Sequence, residues 1–160
     1  MGTPMYMAPE QAAGLNKSVD ARADVYALGC ILYEMVTGVV PFIAANSLDI
    51  LRMQVEDDPF PPRKRGAKIA PDLETICLKC LEKEPERRYQ SAGELADDLR
   101  RFLNGEPITG RRASIAYVAK KKLLRHKAIV SVAAVALTVL IGSTVWYVYS
   151  LRSSLQRGEG

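Results

Sequence analysis

The sequence has few of the residues that form disulfide frameworks or metal sites. Its 160 residues include three cysteines and one histidine. Three cysteines cannot build a disulfide framework, so we expect a reducing, intracellular setting for the folded part. The pair Cys77-x-x-Cys80 lacks the second pair or nearby histidine that a tetrahedral zinc site needs. We therefore interpret both cysteines as core residues of a helix, in preference to a zinc or redox centre, and predict no metal site.

The sequence also lacks internal repeats and any convincing strand pattern. Its apolar share, 48% of the residues, excludes a disordered chain. The spacing of apolar residues and the capping signals are typical of helices. We predict an all-α fold for what is present. The predicted elements are a loop over residues 2–9 and helices over residues 20–36, 47–54 and 71–83, with a last helix capped by Ser91 and stopped at Asn104–Gly105.

The helix predicted over residues 20–36 is unusually apolar. Between Val25 and Val36 its only charged residue is Glu34. Such a helix is buried on nearly every side, so we expect it to be the centre of a domain larger than this chain. Asp24 lies in its first turn, beside the apolar run. An ionised carboxylate there needs backbone N–H donors or a neighbouring cation.

Charge is distributed unevenly along the chain, whose net charge is +4. Residues 111–127 contain seven basic residues and no acidic one, and residues 128–149 contain no charge at all. A basic block beside an uncharged stretch is typical of a membrane face and argues against a nucleic-acid surface. We therefore expect residues 111–127 to contact anionic lipid headgroups, and we expect no nucleic-acid partner.

The uncharged stretch, residues 128–149, is long enough to cross a bilayer. As a helix of 22 residues it would span about 33 Å, against a hydrocarbon core of about 30 Å. We predict a single transmembrane helix in the cell membrane. Because the basic residues precede it, residues 1–127 should be cytoplasmic and the C-terminus should lie outside. Small residues at Ala134, Thr138 and Gly142 form a candidate homodimer face, although such residues are common in these helices.

Three ordered segments resemble parts of one family. Residues 2–11 read GTPMYMAPEQ, residues 24–35 read DVYALGCILYEM, and residues 81–89 read LEKEPERRY. The first resembles the end of the activation segment of a protein kinase, with its Ala-Pro-Glu signature. The second is similar to the central buried helix of that family, and the third to the segment that closes the domain. The threonine at position 3, three residues before Tyr6, makes this segment resemble the serine/threonine branch of the family. Gln11, together with a transmembrane helix after the kinase domain, makes the chain similar to bacterial receptor-like (Hanks-type) members.

The resemblance implies a domain organisation. Residues 1–105 would be part of the helical C-lobe of a protein kinase-like fold. A basic juxtamembrane linker would follow over residues 106–127. A single transmembrane helix over residues 128–149 and a short extracytoplasmic tail over residues 150–160 would complete the chain.

The resemblance also assigns roles to residues. A substrate-docking surface would receive the residue after the phosphorylated one, and its members would be Gly2, Thr3, Pro4, Met5, Tyr6, Met7 and Ala8. Thr3 would also bridge the aspartate and the lysine of the family's catalytic loop. Structural roles would belong to Pro9, Glu10, Asp24, Gly29 and Arg88. Glu10 would pair with Arg88 in a buried ion pair, and Asp24 would accept backbone N–H groups of the catalytic loop.

The motifs with which the family binds ATP and magnesium are absent from the sequence. It contains no G-x-G-x-x-G, no V-A-I-K-like strand, no H-R-D and no D-F-G. The resemblance implies that these parts lie upstream of Met1, in a larger kinase of which this is a truncated reading frame. The full-length family uses ATP and magnesium to phosphorylate serine or threonine in a protein substrate. We expect this chain to contain no catalytic residue, to bind no cofactor and to be inactive alone.

Two alternatives to a kinase fragment are left open by the sequence. One is a non-catalytic, membrane-anchored interaction protein, and the other is a gene remnant. Truncation of the larger kinase would also leave the central helix without the partners that cover it in the full fold. Each large side chain left exposed would forgo roughly 1.5–3 kcal/mol, against a typical total stability of about 5–15 kcal/mol. We therefore expect a marginally stable or molten folded part.

Overall fold

The computed structural model describes residues 3–15, 19–110, 138 and 140–143. Within residues 3–15 and 19–110 the chain is built from helices, 3₁₀ turns and loops, without a strand, so the all-α prediction is confirmed for this part. The α-helices are α1 (Pro9–Ala12), α2 (Arg22–Thr37), α3 (Ser47–Glu56), α4 (Pro71–Cys80) and α5 (Ala92–Leu103). The 3₁₀ turns are Pro4–Tyr6, Pro62–Arg65 and Pro85–Arg87.

The predicted helices are present, with shifted ends. α2 ends at Thr37, and the next residue, Gly38, forms a left-handed cap with a φ of 79°. α3 runs two residues past its predicted end, to Glu56. α4 stops at Cys80 instead of residue 83, and its last turn closes with a 3₁₀-type hydrogen bond from the Leu81 N–H to the Leu78 carbonyl at 3.1 Å. The carbonyls of Glu82 and Lys83, beyond this end, accept hydrogen bonds from the Arg88 guanidinium. α1 was not predicted, since four residues are too few to show a helical period.

The predicted capping box of α5 is present in a modified form. The Ser91 hydroxyl accepts a hydrogen bond from the Glu94 N–H at 3.2 Å. The Glu94 carboxylate reaches the N–H of Gln90 at 2.9 Å, one residue earlier than in the standard box. Two otherwise unpaired N–H groups are thereby satisfied where the helix begins.

α2 is the central helix of the described domain. It contacts the Pro4–Tyr6 turn, α4, α5 and the Pro62–Arg65 turn. Its buried face joins a core with the start of the chain and with α4 and its C-cap; the core residues are Ala8, Ala23, Tyr26, Cys30, Tyr33, Cys77 and Leu81. Cys77 and Cys80 are fully buried between α2 and α4, as expected for core residues. Burial raises the pKa of the Cys77 thiol to about 12, which keeps it protonated at neutral pH.

The opposite face of α2 is uncovered. Leu28 and Ile31 are exposed, and 78% of the Met35 surface is open. The expectation that α2 is buried on nearly every side is therefore wrong within the described residues. The related expectation, that large apolar side chains of this helix lie without partners, is confirmed by the same exposure.

The predicted membrane segment, residues 128–149, lies outside the described residues except for Thr138 and residues 140–143, which are helical and exposed. The basic block, residues 111–127, also lies outside them, as do Ala134 and the tail. Within the part of the chain that the structure describes, no helix has the length and apolar character needed to cross a membrane. The chain divides into two units, residues 1–114 and 115–160.

Candidate functional site

The segment that is predicted to dock the substrate, residues 2–8, is called the docking loop below, and the structure describes it from Thr3 onward. Pro4–Tyr6 forms a 3₁₀ turn in which the Tyr6 N–H donates to the Thr3 carbonyl at 3.2 Å. The Met7 N–H donates to the Pro4 carbonyl at 3.3 Å. Thr3 is exposed, and Met5 is 37% exposed. Gly2 lies outside the described residues, so the structure places six of the seven predicted docking residues on one short segment.

Side chains of α2 and α3 form hydrogen bonds with this segment. The Tyr6 hydroxyl donates to a carboxylate oxygen of Glu34 at 2.7 Å. This hydrogen bond raises the pKa of the Tyr6 hydroxyl above its ordinary value. The Gln54 side-chain amide donates to the carbonyls of Pro4 and Met5, at 3.3 and 3.0 Å. The loop is therefore attached to two different helices, to α2 through the Tyr6 side chain and to α3 through its own backbone carbonyls.

The end of the loop enters the core and continues into α1. Ala8 is completely buried, and its N–H donates to the side-chain oxygen of Gln11 at 3.1 Å. Pro9, the first residue of α1, has no N–H to satisfy and carries a φ suited to a helix start. Glu10 follows with only 6% of its surface exposed. Pro9 thus starts the short helix in which Glu10 is buried, and the role that the resemblance implies for it stays a prediction.

The ion pair implied between Glu10 and Arg88 is present and bidentate. Both carboxylate oxygens of Glu10 accept from the Arg88 guanidinium at 2.8 Å. Arg88 also donates to the carbonyls of Arg22, Glu82 and Lys83, at 3.1, 2.8 and 2.9 Å. Burial alone would raise the pKa of Glu10, but the hydrogen bonds from Arg88 outweigh it and leave the pKa below its usual value. Removing either partner would leave a buried charge, at a cost of roughly 3–5 kcal/mol.

Gly29 and Asp24, the other two predicted structural residues, lie in different environments. An added Cβ at Gly29 would lie 2.5 Å from the Cβ of Cys80, so only glycine fits where α2 approaches α4. Asp24 is exposed, and it has no hydrogen bond or ion pair within the described residues. Asp24 lies on the uncovered side of α2, where water reaches its carboxylate. The catalytic-loop motif whose N–H groups it would accept is absent from this sequence, so the role of Asp24 stays a prediction.

Sequence reasoning missed Gln54, the residue that holds the loop most directly. The available signal was its position one helical turn after Ile50, which is the other buried residue of α3. An amide on the inward face of a helix needs buried partners. Its partners, Pro4 and Met5, are about 50 residues away in the sequence, so local pattern did not identify them.

The described residues do not fit ATP or magnesium. No group of three or more histidine, cysteine, aspartate or glutamate side chains among them could hold a metal ion. The full sequence also lacks the glycine-rich loop and the metal-binding motifs with which kinases hold the nucleotide. No step through these groups is therefore assigned to residues of this chain.

Comparisons with known proteins identify the family of this chain. The protein kinase domain family matches residues 1–98, and the chain belongs to that family. It is 49% identical over 107 residues to serine/threonine-protein kinase PknB of Mycobacterium leprae, and 46% identical over 106 residues to PknB of Mycolicibacterium smegmatis. A probable serine/threonine-protein kinase of Streptomyces coelicolor is 39% identical over 119 residues.

These alignments cover most of this chain and little of the relatives. They include 67%, 66% and 74% of the chain, in the same order, but 17% of each relative. The predicted likeness to bacterial, Hanks-type serine/threonine kinases is confirmed by these relatives. The matched part of the chain therefore spans about one sixth of the length of the curated relatives.

Proposed function

We propose that the chain is the C-terminal part of a membrane-anchored serine/threonine protein kinase, in which it supplies the substrate-docking loop and the membrane anchor. The observation that carries this proposal is the loop itself, a turn with Thr3 and Met5 exposed that is hydrogen-bonded to α2 and α3. A loop that is already ordered binds an extended peptide without a further ordering cost. The kinase names of the relatives support a protein serine or threonine as the acceptor.

In this proposal the residues of the chain bind and orient the protein substrate. ATP with magnesium supplies the phosphoryl group in the complete kinase. The surface around Met5 receives the residue after the phosphorylated serine or threonine, and Thr3 meets the catalytic loop. Glu10 and Arg88 fix the end of the docking loop to the segment after α4. Alone, the 160 residues transfer no phosphate.

Binding of an extended peptide tests the docking role. A fluorescent serine peptide with an apolar residue after the serine is titrated into the full chain in detergent micelles. We expect saturable binding that Met5→Glu weakens at least tenfold, because the new carboxylate meets an apolar side chain. Leu15→Glu is the matched control, since Leu15 is exposed and lies outside the loop. Absence of binding, or equal loss in both variants, would contradict the docking role.

A phosphorylation assay tests the proposed inactivity. The same full chain is incubated with labelled ATP, magnesium and the serine peptide. We expect no phosphate on the peptide or on the chain. Incorporated label above the level of a heat-denatured sample would show that the chain catalyses phosphoryl transfer without the missing motifs, and would overturn this part of the proposal.

Membrane anchoring belongs to the same proposal and rests on the sequence. Residues 128–149 cross the cell membrane, residues 1–127 are cytoplasmic, and the C-terminus lies outside. Residues 111–127 contact anionic headgroups, and the stripe of Ala134, Thr138 and Gly142 is a candidate homodimer face. The full chain should float with vesicles after an alkaline wash, whereas residues 1–110 alone should stay in the soluble fraction. Release of the full chain by that wash would contradict a membrane-spanning anchor.

A further inference from the structure

Gln54 is fully buried, which is unusual for a side-chain amide. Its nitrogen donates to two consecutive carbonyls of the docking loop, Pro4 at 3.3 Å and Met5 at 3.0 Å. Its oxygen accepts from the Tyr26 hydroxyl at 2.5 Å. A primary amide has two N–H donors, so both are used on the loop. The contact joins α3 to a segment about 50 residues earlier in the chain.

The network around the amide defines its orientation. Burial raises the pKa of Tyr26, so its hydroxyl keeps the proton that it donates to Gln54. A flipped amide would place its oxygen against the carbonyl oxygens of Pro4 and Met5, which repel it. The donors of Gln54 therefore point at the loop in the one arrangement that satisfies every polar atom.

Hydrogen bonds also hold the backbone around Gln54. The Lys83 ammonium donates to the carbonyl of Gln54 at 2.7 Å and to that of Met53 at 3.2 Å. The same ammonium lies 4.4 Å from the centre of the Phe42 ring. Lys83 thus supplies a cation to the last turn of α3, where helix carbonyls lack partners. The amide of Gln54 projects from a fixed support.

We propose that Gln54 is a positioning residue of the docking loop, which it acts on through the carbonyls of Pro4 and Met5 without touching the substrate. By drawing these two carbonyls inward it leaves the Met5 side chain at the surface. The inference rests on the docking function proposed above, because the loop has to be fixed only if it receives a substrate residue. Gln54 would then set how well the residue after the phosphorylated one is held.

Gln54→Met is the first test, because methionine has a similar length and no hydrogen-bonding amide. Amide hydrogen exchange is measured on the full chain in detergent micelles without peptide. We expect exchange at the Tyr6 and Met7 amides to rise at least about tenfold, since two loop carbonyls lose their donors. Amides in the middle of α2 should change less than about twofold after correction for global stability. The serine peptide should bind at least about tenfold more weakly.

Gln54→Glu adds a readout that a purely structural role would not produce. When the introduced carboxyl is protonated, it can still donate one hydrogen bond to the loop. When it ionises, it places negative oxygen against both carbonyls. Exchange at Tyr6 and Met7, relative to the parent at the same pH, should therefore increase as pH rises through the pKa of that carboxyl. Gln54→Met should show no such pH dependence.

Ile50→Val is the matched control for general loss of packing. Ile50 is buried one helical turn before Gln54, and it donates no hydrogen bond to the loop. At equal global stability, Ile50→Val should leave relative exchange at Tyr6 and Met7 unchanged. Equal exchange at these amides in Gln54→Met and the parent would overturn the inference. The same increase in Ile50→Val would also overturn it, as would unprotected Tyr6 and Met7 amides in the parent chain.

The two readouts separate this inference from the proposed function. Hydrogen exchange without peptide reports on the loop alone. A parent chain with a protected loop that binds no serine peptide would contradict the docking function and leave the contact of Gln54 with the loop intact. Equal affinity of the parent chain and Gln54→Met for the serine peptide would contradict the positioning role only.

Discussion

At the scale of single residues, Asp98 ties the segment after α5 to the helical core. Its side chain is fully buried. One carboxylate oxygen accepts from the N–H and hydroxyl of Thr109 at 2.7 and 2.9 Å. The other accepts from the Gly110 N–H at 2.7 Å and the Tyr89 hydroxyl at 2.8 Å. Burial alone would raise the pKa of Asp98, but these four donations outweigh it and hold the pKa below its usual value.

The lowered pKa of Asp98 predicts a specific loss of stability in acid. A carboxyl whose pKa is lower in the folded than in the unfolded chain stabilises fully above its unfolded pKa of about 3.9. That contribution disappears as the pH falls through the lower folded value. Between about pH 5 and 2 the free energy of unfolding should therefore fall more steeply in the parent than in Asp98→Asn. Urea unfolding followed by circular dichroism at each pH measures both slopes.

Asp97→Asn is the control for this prediction, since it removes the same charge one residue earlier. Asp97 is exposed and pairs with Arg100 at the surface. Exposed pairs contribute about 0–1 kcal/mol, so this variant should keep the acid slope of the parent. The assignment would be wrong if Asp98→Asn and the parent lost stability in parallel between those pH values.

At the scale of helices, the approach of α2 to α4 depends on Gly29. An added Cβ there would meet the Cβ of Cys80 at 2.5 Å and the Leu81 side chain at 3.2 Å. We predict that Gly29→Ala destabilises the fold by about 1–3 kcal/mol through overpacking, although alanine favours a helix by about 1 kcal/mol. Thermal and urea unfolding measure the change.

Gly93→Ala is the matched control, because Gly93 lies in α5 and an added Cβ there meets only the Ser91 hydroxyl, at 3.5 Å. That substitution should stabilise the chain by up to about 1 kcal/mol. Cys80→Gly removes the opposing Cβ, so in the double variant the cost of Gly29→Ala should shrink. Equal effects of the two alanine substitutions, or no coupling to position 80, would count against the close approach of α2 and α4.

The same helices show what could be predicted from sequence. Apolar spacing and caps located α2, α3, α4 and α5, because these signals act within a few residues. The predicted end of α4 was three residues too late, because apolar spacing continues to Leu81 while the helix already closes with the Leu81 N–H on the Leu78 carbonyl. The contact of Gln54 with the docking loop was missed because its partners, Pro4 and Met5, are about 50 residues away in the sequence. The ion pair of Glu10 with Arg88 came from family resemblance, since residues 78 positions apart leave no local signal.

At the scale of the whole molecule, the uncovered face of α2 forms an apolar groove with α5. Its volume is about 250 Å³. The lining residues are Leu28, Ile31, Leu32, Met35, Ala92, Leu95, Ala96 and Leu99. Apolar groups left in contact with water forgo about 25 cal/mol per Å² of burial. The expectation that α2 is buried on nearly every side was wrong, because local pattern indicates an apolar helix without indicating which of its sides this chain covers.

The groove predicts how residues 1–110 behave in solution. We expect a free energy of unfolding at or below about 5 kcal/mol, the low end for folded domains, together with binding of the dye ANS. Met35→Lys should reduce dye binding by at least half with little change in stability, because Met35 lines the groove and is 78% exposed. Leu103→Lys is the control, since Leu103 is 79% exposed and lies outside the groove. Dye fluorescence and urea unfolding are measured on the parent segment and on both variants.

These measurements distinguish two states of residues 1–110. If the segment is packed with an open groove, ANS fluorescence falls only in Met35→Lys. If the segment is molten, ANS binds throughout it and the fluorescence is equal in all three proteins. The second result would contradict the prediction for Met35, because dye would then report general exposure of the core.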